Sequence, residues 1–123
     1  MARILLVDDD YSWRALYRLE LGGEHEIVEA SDVPEALERI RSDRPDLIIL
    51  DYHLPGPSGA ALLHLIRGRG LRTPVVFCTA DPARASREES EAVVSKHTDL
   101  RRLRRTIDAI LTDPRVSDPG RAA

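Results

Sequence analysis

The chain has 123 residues, 42% hydrophobic and 32% charged, with a formal net charge of -3, which fits one folded domain and excludes a disordered chain. The acidic balance and 4% aromatic content give no support for direct nucleic-acid binding, and the single cysteine, Cys78, excludes an internal disulfide framework and fits a reducing compartment. Apolar runs such as Leu47 to Leu50 are four residues long, against the roughly 20 that a membrane span needs, and Met1-Ala2-Arg3 runs into Ile4 to Val7 without a signal-peptide core, so no membrane association and a cytoplasmic setting are expected.

Ile4 to Val7 is a continuous apolar run, the pattern of a strand buried on both faces, and three aspartates follow it. Trp13, Leu16, Tyr17 and Leu21 recur at helical spacing up to Gly22-Gly23. Glu26 to Ala30 reads as a second strand, poorer in apolar residues and so nearer an edge. Asp32 and Glu35 have capping-box spacing, with Pro34 early in a helix whose stripe is Ala36, Leu37 and Ile40. Leu47 to Leu50 is a second fully apolar strand and ends in Asp51. Turn residues from Leu54 to Gly59 lead into a helix carrying Leu62, Leu63, Leu65 and Ile66, broken at Gly68 and Gly70. Pro74 to Cys78 is the next strand, ending in Thr79. Asp81-Pro82 starts a polar helix from Ala83 to Ser90, and Ala92 to Ser95 is a last short strand. Leu100, Leu103, Ile107, Ile110 and Leu111 give the final helix. Residues 1–113 are expected to form the domain, and 114–123, with Pro114, Pro119 and Gly120, a flexible tail.

Five strand–helix alternations imply parallel pairing through right-handed crossovers. The expected fold is α/β: a doubly wound, five-stranded parallel sheet with five helices. Ligands in such sheets sit outside the carboxyl ends of the strands, where this chain places Asp8, Asp9 and Asp10, then Asp51, Thr79 and Lys96. Carboxylates gathered on one rim repel one another and call for a cation, and an oxygen-only set favours Mg²⁺ over Zn²⁺. His53 and Cys78 are too few and too far apart in sequence to make a zinc site. A carboxylate, Mg²⁺, a hydroxyl and an ammonium together suit phosphoryl transfer. Asp51 is the expected nucleophile, forming an acyl phosphate, while Mg²⁺, Lys96 and Thr79 each meet a phosphoryl oxygen. Among 18 Lys and Arg residues Lys96 is the only lysine, and a planar guanidinium is too large for so compact a contact.

The run Ile4-Leu5-Leu6-Val7-Asp8-Asp9, the segment Asp51-Tyr52-His53-Leu54-Pro55-Gly56-Pro57-Ser58-Gly59, the pair Thr79-Ala80 and Ser95-Lys96 together resemble the receiver domain of bacterial response regulators, over about residues 3 to 112. The resemblance implies a flavodoxin-like fold and a signalling module rather than an enzyme. It implies that Asp51 accepts a phosphoryl group from a sensor histidine kinase or phosphotransfer protein. It makes Asp8 and Asp9, with Asp51 and the backbone carbonyl of His53, the Mg²⁺ ligands. It makes Thr79 the switch hydroxyl and Lys96 the phosphoryl contact. Ala80 and Asp81 take modulating positions, and His53 and Asp81 border the path of the water that attacks the acyl phosphate. The output is expected to pass to a downstream protein partner.

Several positions depart from the family habit. His97 stands where a proline usually follows the lysine. Ala92 to Val94 lack the aromatic residue that usually serves as a rotameric switch. The stretch from Thr79 to Lys96 is shorter by roughly one helical turn and has no Gly-Ala pair before the last strand. The phosphorylation half therefore reads as intact and the output face as rebuilt. Two other readings stand beside this one. A degenerate receiver would act as a constitutive interaction module. A haloacid-dehalogenase-type phosphatase would need an aspartate where His53 lies. Flavin binding is disfavoured because three aspartates occupy the place of a phosphate-cradling loop. The aspartate run also suits a helix N-cap, Trp13 and Tyr17 read as core, Cys78 as a small buried hydrophobe, His25, His64 and His97 as surface, and Arg101 to Arg105 as a solvated helix face.

Overall fold

A computed structural model describes residues 1–97 and 99–114. Its elements alternate as expected: β1 (Arg3–Val7), α1 (Tyr11–Leu21), β2 (Glu26–Ala30), α2 (Val33–Asp43), β3 (Leu47–Leu50), α3 (Gly59–Gly68), β4 (Val75–Thr79), α4 (Pro82–Ala85), β5 (Ala92–Ser95) and α5 (Leu100–Leu111). All pairings are parallel and the strand order is β2-β1-β3-β4-β5, so the poorly apolar β2 is indeed an edge. The tail expected from residue 114 onward lies, beyond Pro114, outside the described residues.

The continuous apolar runs are needed because the central strands are covered on both faces. Leu5 and Val7, Ile48 and Leu50, and Val75 and Phe77 point to one side, where Ala36 and Ile40 of α2 and Leu62, Leu63 and Ile66 of α3 cover them. Ile4 and Leu6, Leu47 and Ile49, and Val76 and Cys78 point to the other, against Tyr17 and Leu21 of α1 and Leu103 and Ile107 of α5. The period-two alternation of each strand thus feeds two separate cores.

Local signals act at most helix starts. Asp10, Ser58 and Asp99 cap α1, α3 and α5 by accepting from Ser12 N, Ala61 N and Arg101 N. Asp32 accepts from Glu35 N at 2.9 Å, but the Glu35 carboxylate reaches Ser31 N at 2.7 Å instead of closing a box on Asp32. Three expectations need correction. The helix expected to reach Ser90 is a single turn, Pro82–Ala85, because Ala85 is its one buried residue and the polar stretch after it has nothing to bury. Leu16 and Leu65 are exposed, since the buried stripes are Tyr17–Leu21 and Leu62-Leu63-Ile66 and each lies one position off them. His25 is enclosed rather than at the surface, its Nδ1 accepting from Ala2 N at 3.1 Å.

Candidate functional site

Register places the site. Val7 pairs with Leu50, so the next residues, Asp8 and Asp51, stand side by side at the carboxyl ends of adjacent strands, tied by Asp51 N donating to Val7 O at 2.9 Å. This is where chain direction across the sheet reverses, from β1 outward to β2 and to β3, and such points form the natural crevice of a doubly wound sheet. Thr79 pairs with Ser95, and Lys96 N donates to Thr79 O at 2.9 Å, which brings the lysine alongside. Its side chain crosses the rim. Nζ donates to Asp51 Oδ2 at 2.9 Å and lies 2.8 Å from Asp8 Oδ2. The three side chains are only 8%, 8% and 4% exposed for Lys96, Asp51 and Asp8.

Burial pushes the Asp8 carboxyl above the usual carboxylate range, although Lys96 and the bond from Asp10 N pull against it. Burial alone would lower the Lys96 ammonium, but its bonds to Asp8 and Asp51 outweigh that and raise it. One ammonium therefore serves two buried carboxylates. Asp9 is exposed and contributes to the same acidic group, with one carboxylate oxygen each from Asp8, Asp9 and Asp51 within 4.8 Å of one another. Asp8 Oδ2 is buried, and among the described residues the Lys96 ammonium, shared with Asp51, is its one donor. A buried anionic oxygen left in that state, beside two further carboxylates, fits a hard divalent cation with oxygen ligands.

The rim has further parts. Thr79 is fully buried and its Oγ1 accepts from Asp81 N at 3.1 Å. His53 N donates to Asp51 Oδ1 at 3.3 Å, and its ring Nε2 meets Asp81 Oδ2 at 3.1 Å. That bond spans the two loops that follow β3 and β4, and it holds the Asp81 carboxyl below its usual range. Arg84 of α4 also approaches this carboxylate, at 3.7 Å. Ala80 is exposed between them.

Several contributors were not legible as site residues. Trp13, read as core, lies with its ring 5.1 Å from Lys96 Nζ, within the range of a cation–π contact. Its place in the first turn of the helix after the aspartates was the available signal. Gly59 packs so closely on the carboxyl end of β3 that a Cβ there would stand 2.2 Å from Asp51 O. Beneath the pocket the Tyr17 hydroxyl and Cys78 thiol lie 3.0 Å apart. Burial pushes that thiol up to about 11 despite the Tyr17 bond. Cys78 is accordingly expected to resist a disulfide-exchange reagent at mildly alkaline pH in the native protein and to react as one thiol per chain once unfolded; thiol titration in and out of denaturant checks this.

Glu24, His25 and Asp108 form a second acidic and histidine group among the described residues. Ala2 N donates to Nδ1 of the His25 ring, so in the neutral ring Nε2 carries the proton and has no lone pair for a metal. His64 and His97 are exposed, and Cys78 is buried, as expected. In the arginine run, Arg101, Arg102 and Arg105 face solvent, while Leu103 is core and Arg104 approaches Glu20 of α1 and Glu24 in the turn after it. The Lys96–His97 peptide is trans. Among the described residues no helix is long and apolar enough to cross a membrane.

Comparison with known proteins agrees with this geometry. A family model described as response regulator receiver domain matches residues 4–109. The chain is 38% identical over 118 residues to the Regulator of RpoS of Escherichia coli K12, covering 89% of this chain and 34% of that protein. It is 42% identical over 79 residues to the response regulator MprA of Mycobacterium tuberculosis H37Rv, covering 63% of this chain and 34% of that one. The chain thus spans about a third of the length of the curated relatives it matches. Among solved structures, the signal receiver domain of a Luxo repressor protein from Vibrio parahaemolyticus superposes with a TM-score of 0.85 at 27% identity, covering 95% of each chain.

Proposed function

The chain belongs to the response regulator receiver domain family, and from that premise we propose that it takes one phosphoryl group onto Asp51 and signals through protein–protein contact. The observation that carries this reading is the junction of Asp8, Asp51 and Lys96 in one buried ion-paired group with Thr79 beside it. The donor is a phosphohistidine of a sensor kinase or phosphotransfer protein. A carboxylate oxygen of Asp51 attacks phosphorus, the O–P bond forms, the P–N bond breaks, and the leaving imidazole keeps the electron pair and takes up a proton. Asp8, Asp9 and Asp51, with the backbone carbonyl of His53, would hold Mg²⁺. When bound, the ion supplies positive charge to phosphoryl oxygens.

The other groups act on the same charge. The Lys96 ammonium, already aimed at Asp51, neutralises a phosphoryl oxygen. The Thr79 hydroxyl accepts from Asp81 N, which leaves its proton available to donate to another. Neither group must be recruited from solvent, which is the source of the electrostatic advantage. His53, held by Asp81, stands over the loop beside Asp51 and shields the acyl phosphate from water. Incubation with Mg²⁺ and acetyl phosphate, followed by intact mass measurement, tests the reading. One added phosphoryl group per chain is expected; none would leave the second reading, a constitutive interaction module, which the one-turn α4 favours.

Signal output needs an element that responds to Thr79. Val93 and Val94 of β5 are stiff at χ1 and carry no ring to move. The segment after Thr79 is different: one helical turn, no side-chain cap, and a polar stretch with few buried groups. Its backbone is the two-state element, drawn by Thr79 when that hydroxyl engages the phosphoryl group. Hydrogen exchange with and without beryllofluoride, a phosphoryl mimic, is expected to change most over residues 80 to 92. Changes confined to the first helix would place the output on another face.

A further inference from the structure

A groove of about 700 Å³ lies at the end of the sheet opposite Asp51, where α2 and α3 finish and β3 and β4 begin. The end of α2 and its C-cap contribute Arg41 and Arg44, and the turn after α3 contributes Arg69 and Arg72. Arg41 is paired with Glu38. The guanidinium groups of Arg44, Arg69 and Arg72 make no ion pair or side-chain hydrogen bond with any described residue. The acid on the rim, Asp46, is engaged by Arg3 N at 2.8 Å. Three guanidiniums without an ion-pair partner among the described residues, against the single carboxylate of Asp46, leave positive charge in excess around this cavity.

The backbone adds an independent observation. Arg44 occupies the left-handed C-cap of α2, with φ 48 and ψ 66. Glycine is the default there, because a Cβ in that conformation meets its own carbonyl. Arg44 is the one non-glycine residue with positive φ among those described. The side chain therefore brings a steric cost that a glycine would remove, and an outlier of this kind points toward a use. Gly70, with φ 79, makes the tight turn between Arg69 and Arg72.

We propose that this groove binds a nucleoside di- or triphosphate. Guanidiniums pair with phosphate oxygens in bidentate fashion, and arginines reaching in from two turns suit adjacent phosphates better than one. The floor is apolar, with Pro45 and Pro74 buried and Leu71 half-buried, and offers a surface for a flat base. The volume falls in the range of small-molecule sites, roughly 300–1,000 Å³. The site is independent of Asp51 chemistry, since it lies at the other end of β3.

Titration of the full chain with ADP in the absence of Mg²⁺, followed by amide NMR, tests the proposal and keeps a metal–nucleotide complex away from the aspartates. Saturable shifts are expected at residues 40–46 and 69–74. Arg72→Gln is expected to weaken binding about tenfold, the loss of one charge-assisted contact. Arg44→Gly should do the same while melting no lower than the parent, because glycine suits that φ. Pyrophosphate should bind about tenfold more weakly than ADP, because it lacks the base. Shifts at the Asp51 end alone, full affinity in both variants, or pyrophosphate binding equal to ADP overturns the proposal. So does a single-stranded oligonucleotide that occupies these residues in preference to ADP.

Discussion

Asp51→Asn is expected to slow phosphoryl uptake from acetyl phosphate by about a thousandfold or more, the scale of losing a covalent nucleophile. An amide oxygen carries no charge and forms no stable acyl phosphate. No other acid takes its place. Asp8 is buried and engaged by Lys96 and by Asp10 N, and Asp9 is exposed away from the ammonium. The variant should nevertheless fold at least as well as the parent in the absence of Mg²⁺, because one of two buried carboxylates loses its charge while Lys96 keeps Asp8. Intact mass and a thermal melt on the same sample separate the two effects. Undiminished labelling of a folded Asp51→Asn protein would reassign the phosphoacceptor.

Lys96→Met is expected to lower stability by about 3 kcal/mol at neutral pH without Mg²⁺, the usual cost of leaving a buried charge uncompensated. Methionine keeps most of the stem that packs near Trp13, so the change isolates the ammonium. Asp8 and Asp51 then face each other with no counter-charge. The carboxyl of Asp8, already raised by burial, rises further because the pull of Lys96 is gone. A carboxyl whose folded pKa lies above its unfolded value of 3.8 stabilises the fold when protonated. That contribution is complete at acid pH and is lost as pH climbs through the folded value. The variant should therefore lose stability more steeply than the parent between mildly acidic and neutral pH. Adding Asp8→Asn should restore most of the loss. Urea denaturation at the two pH values checks both statements, and a deficit that ignores pH and Asp8→Asn would assign the loss to packing.

Much of this architecture was readable because it rests on local and periodic signals. Short apolar runs bounded by polar and turn residues suit strands covered on two faces, and the carboxyl ends of three of them carry Asp8, Asp51 and Thr79 by adjacency in sequence. The alternation of strand and helix then fixes which ends share a rim. What depends on contacts distant in sequence was not readable. Leu16 and Leu65 fit a helical stripe by spacing, yet only the packed neighbours decide that the stripe runs through Tyr17 and Leu62 instead. His25 carries no mark of burial until Ala2 closes over it. The extent of α4 was misjudged because Asp81-Pro82 is a good start signal, while its stop is set by the lack of anything to bury after Ala85. The bond from His53 to Asp81 crosses 28 residues of chain and has no sequence signature at all.

The sole lysine of the chain has a practical consequence. Amine acylation requires a neutral, accessible nitrogen, and Lys96 is 8% exposed, twice ion-paired and held more strongly protonated than a free lysine. A mild acylating reagent should therefore modify this side chain only in molecules whose rim has opened. The exposed α-amine at Met1 reacts as well, but no second lysine side chain competes, so after digestion one modified internal peptide reports one event at one address. The folded protein thus contains its own chemical footprint for the carboxylate rim, and the acylation rate of that peptide clocks its opening with no probe attached.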